Sequence, residues 1–284
     1  MNHRYVIGVY SLACSRPAFT FVATLVVLVS LLVSACSGSI KRPDDALTST
    51  RDVVAAIDSR LEAVQDVRIA AKVDYYDEER GERVVARDVS LSAAAPASLR
   101  VTLSSFDKAL ASLASDGTDF SMLNLQENVY YHGPATVENL SQLFPLFLSG
   151  ADFVRVLRGG FPIELLADGW REKTELGWNQ ETGRYRLEVA TVDGGLQLVE
   201  LTYPELGVAQ IEIKKDGESL YTYEGKDFQS PGVALFPVKS RFTLVERDTD
   251  VTLRVEGFDA NVEPNERIFK IPPPAGAKVV DLSL

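Results

Sequence analysis

The chain is short of the side chains that carry most enzyme and metal chemistry. Its 284 residues include two cysteines, two histidines, two methionines and two tryptophans. So few thiols and imidazoles exclude a Cys/His metal centre and a thiol nucleophile supported by several histidines. Neither a Gly-x-Ser-x-Gly elbow nor a phosphate-cradling glycine loop occurs. Asp248 and Asp250 flank a turn without the number of oxygen ligands that calcium needs. Positive charge is also scarce, with 29 Lys and Arg against 40 Asp and Glu, a net charge of −11. An acidic body of this kind excludes nucleic acid as a partner and gives no electrostatic hold on anionic lipid. Carboxylates are so abundant that no pair of them nominates a glycosidase.

What the N-terminus does have is a graded pattern. Arg4 and Arg16 precede an apolar run from Phe19 to Val33, which closes on the small residues Ser34 and Ala35 before Cys36. Basic region, apolar core and small residues together are the mark of an export signal. The tetrad Val33-Ser34-Ala35-Cys36 resembles the bacterial lipobox. That resemblance implies cleavage between Ala35 and Cys36, with a diacylglycerol and an N-acyl chain on Cys36 as the sole covalent group and no other cofactor. The alternative is an uncleaved anchor; the 18 residues from Ala18 to Ala35 lie at the lower edge of a bilayer span. Ser37, in place of aspartate, favours the outer membrane by analogy with the enterobacterial sorting rule. Loss of residues 1–35 removes Arg4, Arg16 and Cys14, leaving 27 basic against 40 acidic residues, net −13, and one cysteine. No internal disulfide is then available, so the exported body must hold together by its core.

Residues 36–49 read as a lipidated, polar tether, and residues 50–284 as one domain. Val53, Val54, Ile57, Leu61 and Val64 recur at helical spacing opposite Asp52, Asp58, Arg60 and Glu62. The period then drops to two. Val67 to Tyr75, Val84 to Ala94, Leu99 to Leu103, Ala109 to Ser115, Phe120 to Leu125 and Val129 to His132 form a meander. Between Val137 and Asp168 the spacing predicts two short helices. Leu140, Leu143, Phe144, Phe147 and Leu148 make the first, bent at Pro145; Phe153, Val154 and Leu157 make the second, ended by Gly159-Gly160. Strands resume at Tyr185 and continue to Phe258, linked by tight turns such as Asp193-Gly194-Gly195 and Asp216-Gly217. The expected fold is mainly β (α+β): a single curved antiparallel sheet of about eleven strands, a half-barrel with helices covering its concave face. Trp170 and Trp178 are expected where helices meet the second meander, and His132 as an ordinary strand-end residue.

This order of helix, meander, two helices and meander resembles the LolA/LolB-like family, and LolB more than LolA because of the lipobox. Local runs that fit are Leu99-Arg-Val-Thr-Leu103 entering a hairpin, Leu113-Ala-Ser-Asp-Gly117, and Tyr130-Tyr-His-Gly133. Ile268-Phe-Lys-Ile-Pro-Pro-Pro-Ala-Gly276 also fits, read as a strand stopped by prolines before Val279-Val-Asp-Leu282. The resemblance implies a non-catalytic lipoprotein on the periplasmic side of the outer membrane. It would bind acyl chains in an apolar concavity, accept lipoprotein or lipid cargo from a periplasmic LolA-like carrier, and pass it to the membrane. Alternation places Val73, Tyr75, Val89, Leu91, Leu99 and Val101 on the inner face as candidate lining. The family hairpin between the third and fourth strands carries an apolar residue that enters the bilayer. Its counterpart here is Ser104-Ser105-Phe106-Asp107-Lys108, with Phe106 at the tip and without the family's Pro-Leu-Gly. Burying one such aromatic is worth roughly 1.5–3 kcal/mol. The other reading is a structural or signalling lipoprotein that uses the same fold as a protein-binding platform.

Overall fold

The computed structural model describes residues 39–77, 81–106, 108–141, 148–245 and 248–283. The export segment, the lipobox with Cys36, Asp107 and residues 143–147 of the first expected inserted helix lie outside them. Residues Lys41–Leu284 form one compact unit.

Helix α1 (Thr50–Ala63) starts where the Ser49 hydroxyl accepts a hydrogen bond from the Asp52 amide at 3.1 Å, which satisfies one of the free N–H groups of the first turn. Its stripe of Val53, Val54, Ile57 and Leu61 is buried to at most 4 % exposure. The first meander follows as β1 (Asp66–Asp77), β2 (Glu82–Ala94), β3 (Ser98–Ser105), β4 (Lys108–Ser115), β5 (Asp119–Asn124) and β6 (Val129–Pro134). Across it Ile69, Leu91, Val101, Leu113 and Met122 stand opposite one another in successive strands, all buried. Such a row fixes the register, because a one-residue slip would turn every member outward.

Three short helices follow, α2 (Val137–Leu140), α3 (Gly150–Leu157) and α4 (Trp170–Lys173). The second meander comprises β7 (Leu176–Asn179), β8 (Arg184–Ala190), β9 (Leu196–Leu201), β10 (Val208–Lys215), β11 (Glu218–Gln229), β12 (Phe236–Leu244) and β13 (Thr249–Ala260). A final strand, β14 (Lys278–Asp281), completes one open, curved fourteen-stranded sheet. Its order is β14-β6-β5-β4-β3-β2-β1-β13-β12-β11-β10-β9-β8-β7. The two meanders are joined by β1 and β13, paired from Val67–Ala260 to Asp77–Thr249. The strands outnumber the expected eleven because four-residue β7 and β14 sit at the two edges, too short to show alternation.

Two expectations change at the C-terminus. Residues 266–269 form a 3-10 turn, not a strand; the Asn265 side chain caps it through the Arg267 amide at 3.0 Å. The segment crosses the outer face of β3–β6 instead of extending the sheet. Phe269 is buried there, Arg100 donates to the Ile268 carbonyl at 3.2 Å, and Tyr130 Oη donates to the Ile271 carbonyl at 2.7 Å. Having crossed that face, the chain meets the free edge of β6 from the far side, so β14 pairs with β6 in parallel, the single parallel pair among the described strands.

Candidate functional site: an apolar crevice beneath a lid helix

α3 lies over the concave face, buries Phe153, Val154, Val156 and Leu157 in the core, and carries polar ties at both ends. At its start Ser149 accepts from the Asp152 amide, while the buried Asp152 carboxylate accepts from the Ile163 and Glu164 amides at 2.8 and 3.2 Å. Burial pushes the Asp152 carboxyl up, against the opposing pull of those two amides. At the other end Gly160 and Gly159 donate to the Arg155 and Val156 carbonyls, closing a Schellman turn in which Gly159 has φ +95°.

Three arginines then fasten the lid region to its surroundings. Arg158, itself buried, donates to the Leu61 and Val64 carbonyls that α1 leaves unpaired at its C-terminus. Burial pulls its guanidinium below the usual value, and it remains a cation. Arg60 donates to the Leu206, Glu205 and Gly159 carbonyls at 3.0, 3.0 and 3.3 Å. Arg155 meets Asp58 at 2.7 Å and the Phe161 carbonyl at 3.0 Å.

Beneath this lid Val156 and Leu157 roof a crevice of about 40 Å³. Its floor is Ile69 and Ala71 of β1 with Leu91 of β2, and its far wall is Tyr223, Phe242, Leu253, Val255 and Phe258 from β11–β13. Phe236 and Phe258 stack flat at 4.0 Å on its margin. The volume is close to that of one water molecule, an order of magnitude below a drug-sized pocket. Among the described residues this crevice is thus narrow, with little open space.

Of the expected lining residues, Leu91 faces the crevice. Val73, Val89, Leu99 and Val101 are buried in the general core, and Tyr75 packs against it from a partly buried position. The lining that β11–β13 and α3 supply went unread in the sequence. Those residues alternate correctly, but alternation reports which face a residue occupies and not which distant strand it will oppose. Phe106 occupies the first position of a two-residue turn between paired Ser105 and Lys108, with φ +48° and 90 % exposure. Arg87 steadies that hairpin through Ser105 Oγ at 2.7 Å.

His132 lies on β6, stacked on Tyr130 with centroids 5.8 Å apart and 4.0 Å from the Asp281 carboxylate. No group of three His, Cys, Asp or Glu among the described residues is placed to hold a metal. Trp170 packs edge-on to Phe161, and Trp178 edge-on to Tyr185 and Tyr203.

The sequence matches no family profile and no curated protein. Among solved structures, a DUF1329 family protein from Desulfovibrio piger superposes at TM-score 0.55 with 10 % identity, over 78 % of this chain and 95 % of that one. An outer membrane lipoprotein-sorting protein domain from Vibrio parahaemolyticus gives 0.54 at 14 %, over 77 % and 95 %. A LolA superfamily protein from Nitrosomonas europaea gives 0.54 at 12 %, over 79 % and 99 %. Identities this low speak for the fold alone: the chain has a LolA-like fold.

Proposed function

We propose that this chain is a non-catalytic lipoprotein of the outer membrane, lipidated at Cys36, that takes an acyl chain into the crevice beneath α3. It acts in placing lipoprotein or lipid cargo in that membrane, receiving it from a periplasmic carrier of LolA-like fold. The observation that carries the reading is the construction of the lid. Its underside is apolar, and beside that packing it is tied by hydrogen bonds of Asp152, Arg155 and Arg158, which water can replace when the helix lifts. Lifting α3 exposes Phe153 and Val154 as well as Val156 and Leu157, and an acyl chain slid between the last two and Ile69, Leu91 and Leu253 restores part of that burial. The lipoprotein-sorting neighbour agrees with this use of the fold. Phe106, held out at a hairpin tip, is a wedge suited to the acyl region of the bilayer.

The mature chain carrying Cys36→Ser tests the reading. Mass spectrometry of the purified protein is expected to find co-purifying lipid, and an acylated peptide should bind where its unacylated form does not. Leu157→Trp, which fills the crevice from above, should abolish that binding. A protein free of lipid that ignores the acylated peptide would refute acyl carriage. The narrowness of this crevice supports a second reading, a protein-binding platform with no cargo, and that result would favour it.

A further inference from the structure

Among the described residues, five of the ten exposed large apolar side chains lie at one end of four consecutive hairpins. In sheet order these are β5–β6 with Leu125 (44 % exposed), β3–β4 with Phe106 (90 %), β1–β2 with Tyr76 and Val85 (42 and 56 %), and β12–β13 with Val245 (53 %). Their heights along the strands follow from the register. Leu125 follows Asn124, which is level with Ala111 and Leu103; Phe106 follows Ser105, two residues further on. Tyr76 lies beyond the level of Val73 and Arg87, and Val245 beyond that of Thr249 and Asp77. Each hairpin thus carries its apolar residue about two residues, or roughly 7 Å, further along than its neighbour, and adjacent hairpins are about 10 Å apart. That staircase slopes at about 35°, close to the tilt of strands against the axis of a barrel. The steps and the tilt cancel, and the four ends come to lie near one plane across the mouth of the half-barrel. The next hairpin, β10–β11, turns through Asp216 and Gly217 and presents no apolar residue.

We infer that this rim is a bilayer-docking edge, and that Phe106 is one of four inserted points and not a lone wedge. The inference rests on the proposal that Cys36 brings the chain to a membrane. A row of apolar residues on hairpins about 10 Å apart, on or next to polar turns, offers no continuous patch for a folded partner. Lipid closes around separate projections without needing one. Polar neighbours define the kind of bilayer. By sequence, segments 77–83, 107–108, 126–128 and 246–248 carry eight acidic residues against four basic ones, so the edge suits zwitterionic phospholipid and is repelled by anionic headgroups.

The test uses the mature chain with Cys36→Ser, so that the acyl anchor contributes nothing, in flotation with vesicles of phosphatidylcholine and phosphatidylethanolamine. Binding is expected, little changed by salt and weakened by added phosphatidylglycerol. Leu125→Glu, Tyr76→Glu and Val245→Glu, alone and combined, each with Phe106 intact, should weaken binding about tenfold per substitution. The three substituted positions are exposed, and thermal unfolding within a few degrees of the parent confirms that the variants fold. Wild-type affinity in the triple variant overturns the rim while leaving a single Phe106 wedge standing. Absence of vesicle binding by the parent overturns both. Binding of an acylated peptide, measured on the same variants, reports separately on the crevice and is expected to stay unchanged.

Discussion

Arg158→Met is the most discriminating perturbation of the lid. The methionine keeps most of the buried aliphatic stem and removes the guanidinium that bridges α3 to the end of α1. Two charge-assisted hydrogen bonds disappear, to the Leu61 and Val64 carbonyls. Each such bond contributes about 1.5–3 kcal/mol. Part of that sum returns, because a buried cation no longer has to be stripped of water. A net loss of about 3 kcal/mol follows, since the two orphaned carbonyls remain buried beside the core. For a body of this size each kcal/mol moves the unfolding midpoint by roughly 2–4 °C, so the expected drop is about 6–12 °C by circular dichroism. The same change frees the lid, so an acylated peptide should enter faster in stopped-flow fluorescence. Arg158→Lys should recover little, because an ammonium cannot hold both carbonyls in a planar fork. A midpoint within 2 °C of the parent, with unchanged uptake, would refute the claim that this side chain fastens the lid.

Further outcomes are expected elsewhere. Gly159→Ala places a Cβ 2.6 Å from the Leu235 carbonyl oxygen at a residue with φ +95°, and should cost about 2 kcal/mol or more in urea unfolding. Phe106→Gly relieves a left-handed backbone position of a bulky residue and should raise the unfolding midpoint by a few degrees while reducing vesicle binding; a fall in the midpoint would mean that the ring packs on the body. The Asp116 carboxyl is held down at about 2 by the Lys270 ammonium, 2.7 Å away, and by the Asp119 and Thr118 amides. Its folded value lies below its unfolded one, so its contribution is complete above about pH 4 and is lost as pH falls towards 2. Asp116→Asn should therefore flatten the fall in unfolding midpoint across that window, with little change in its slope near neutrality.

The main architecture was legible in the residues because local chemistry decides it. Val53, Val54, Ile57 and Leu61 keep helical spacing, and Asp216-Gly217 supplies two residues at positive φ for a tight hairpin. Long alternating runs such as Val67 to Tyr75 announced their strands. What stayed hidden depends on distant partners. β1 pairs with β13 across nearly the whole chain, which brings Leu253, Val255 and Phe258 to the crevice beside Leu91. The apolar run at 268–271 has the look of a strand, yet the edge it would need is occupied by β14. Arg158 carries no mark of burial in its sequence neighbourhood; its position follows from two carbonyls that α1 leaves open. The apolar rim escaped because Leu125, Val85 and Val245 are unremarkable singly and acquire meaning through the sheet order.

The pairing of β1 with β13 also governs the order in which the body can be completed. A chain is made from its N-terminus, so the first meander is available long before its partner. Until residues 249–260 arrive, β1 presents a twelve-residue edge of unpaired backbone groups, and Ile69 and Ala71 lack the strands that cover them. Long exposed edges of this kind recruit other strands, and pairings so distant in sequence form slowly. The seam that unites the two meanders thus closes late, and the front half must be kept from pairing with the wrong chain until the back half appears.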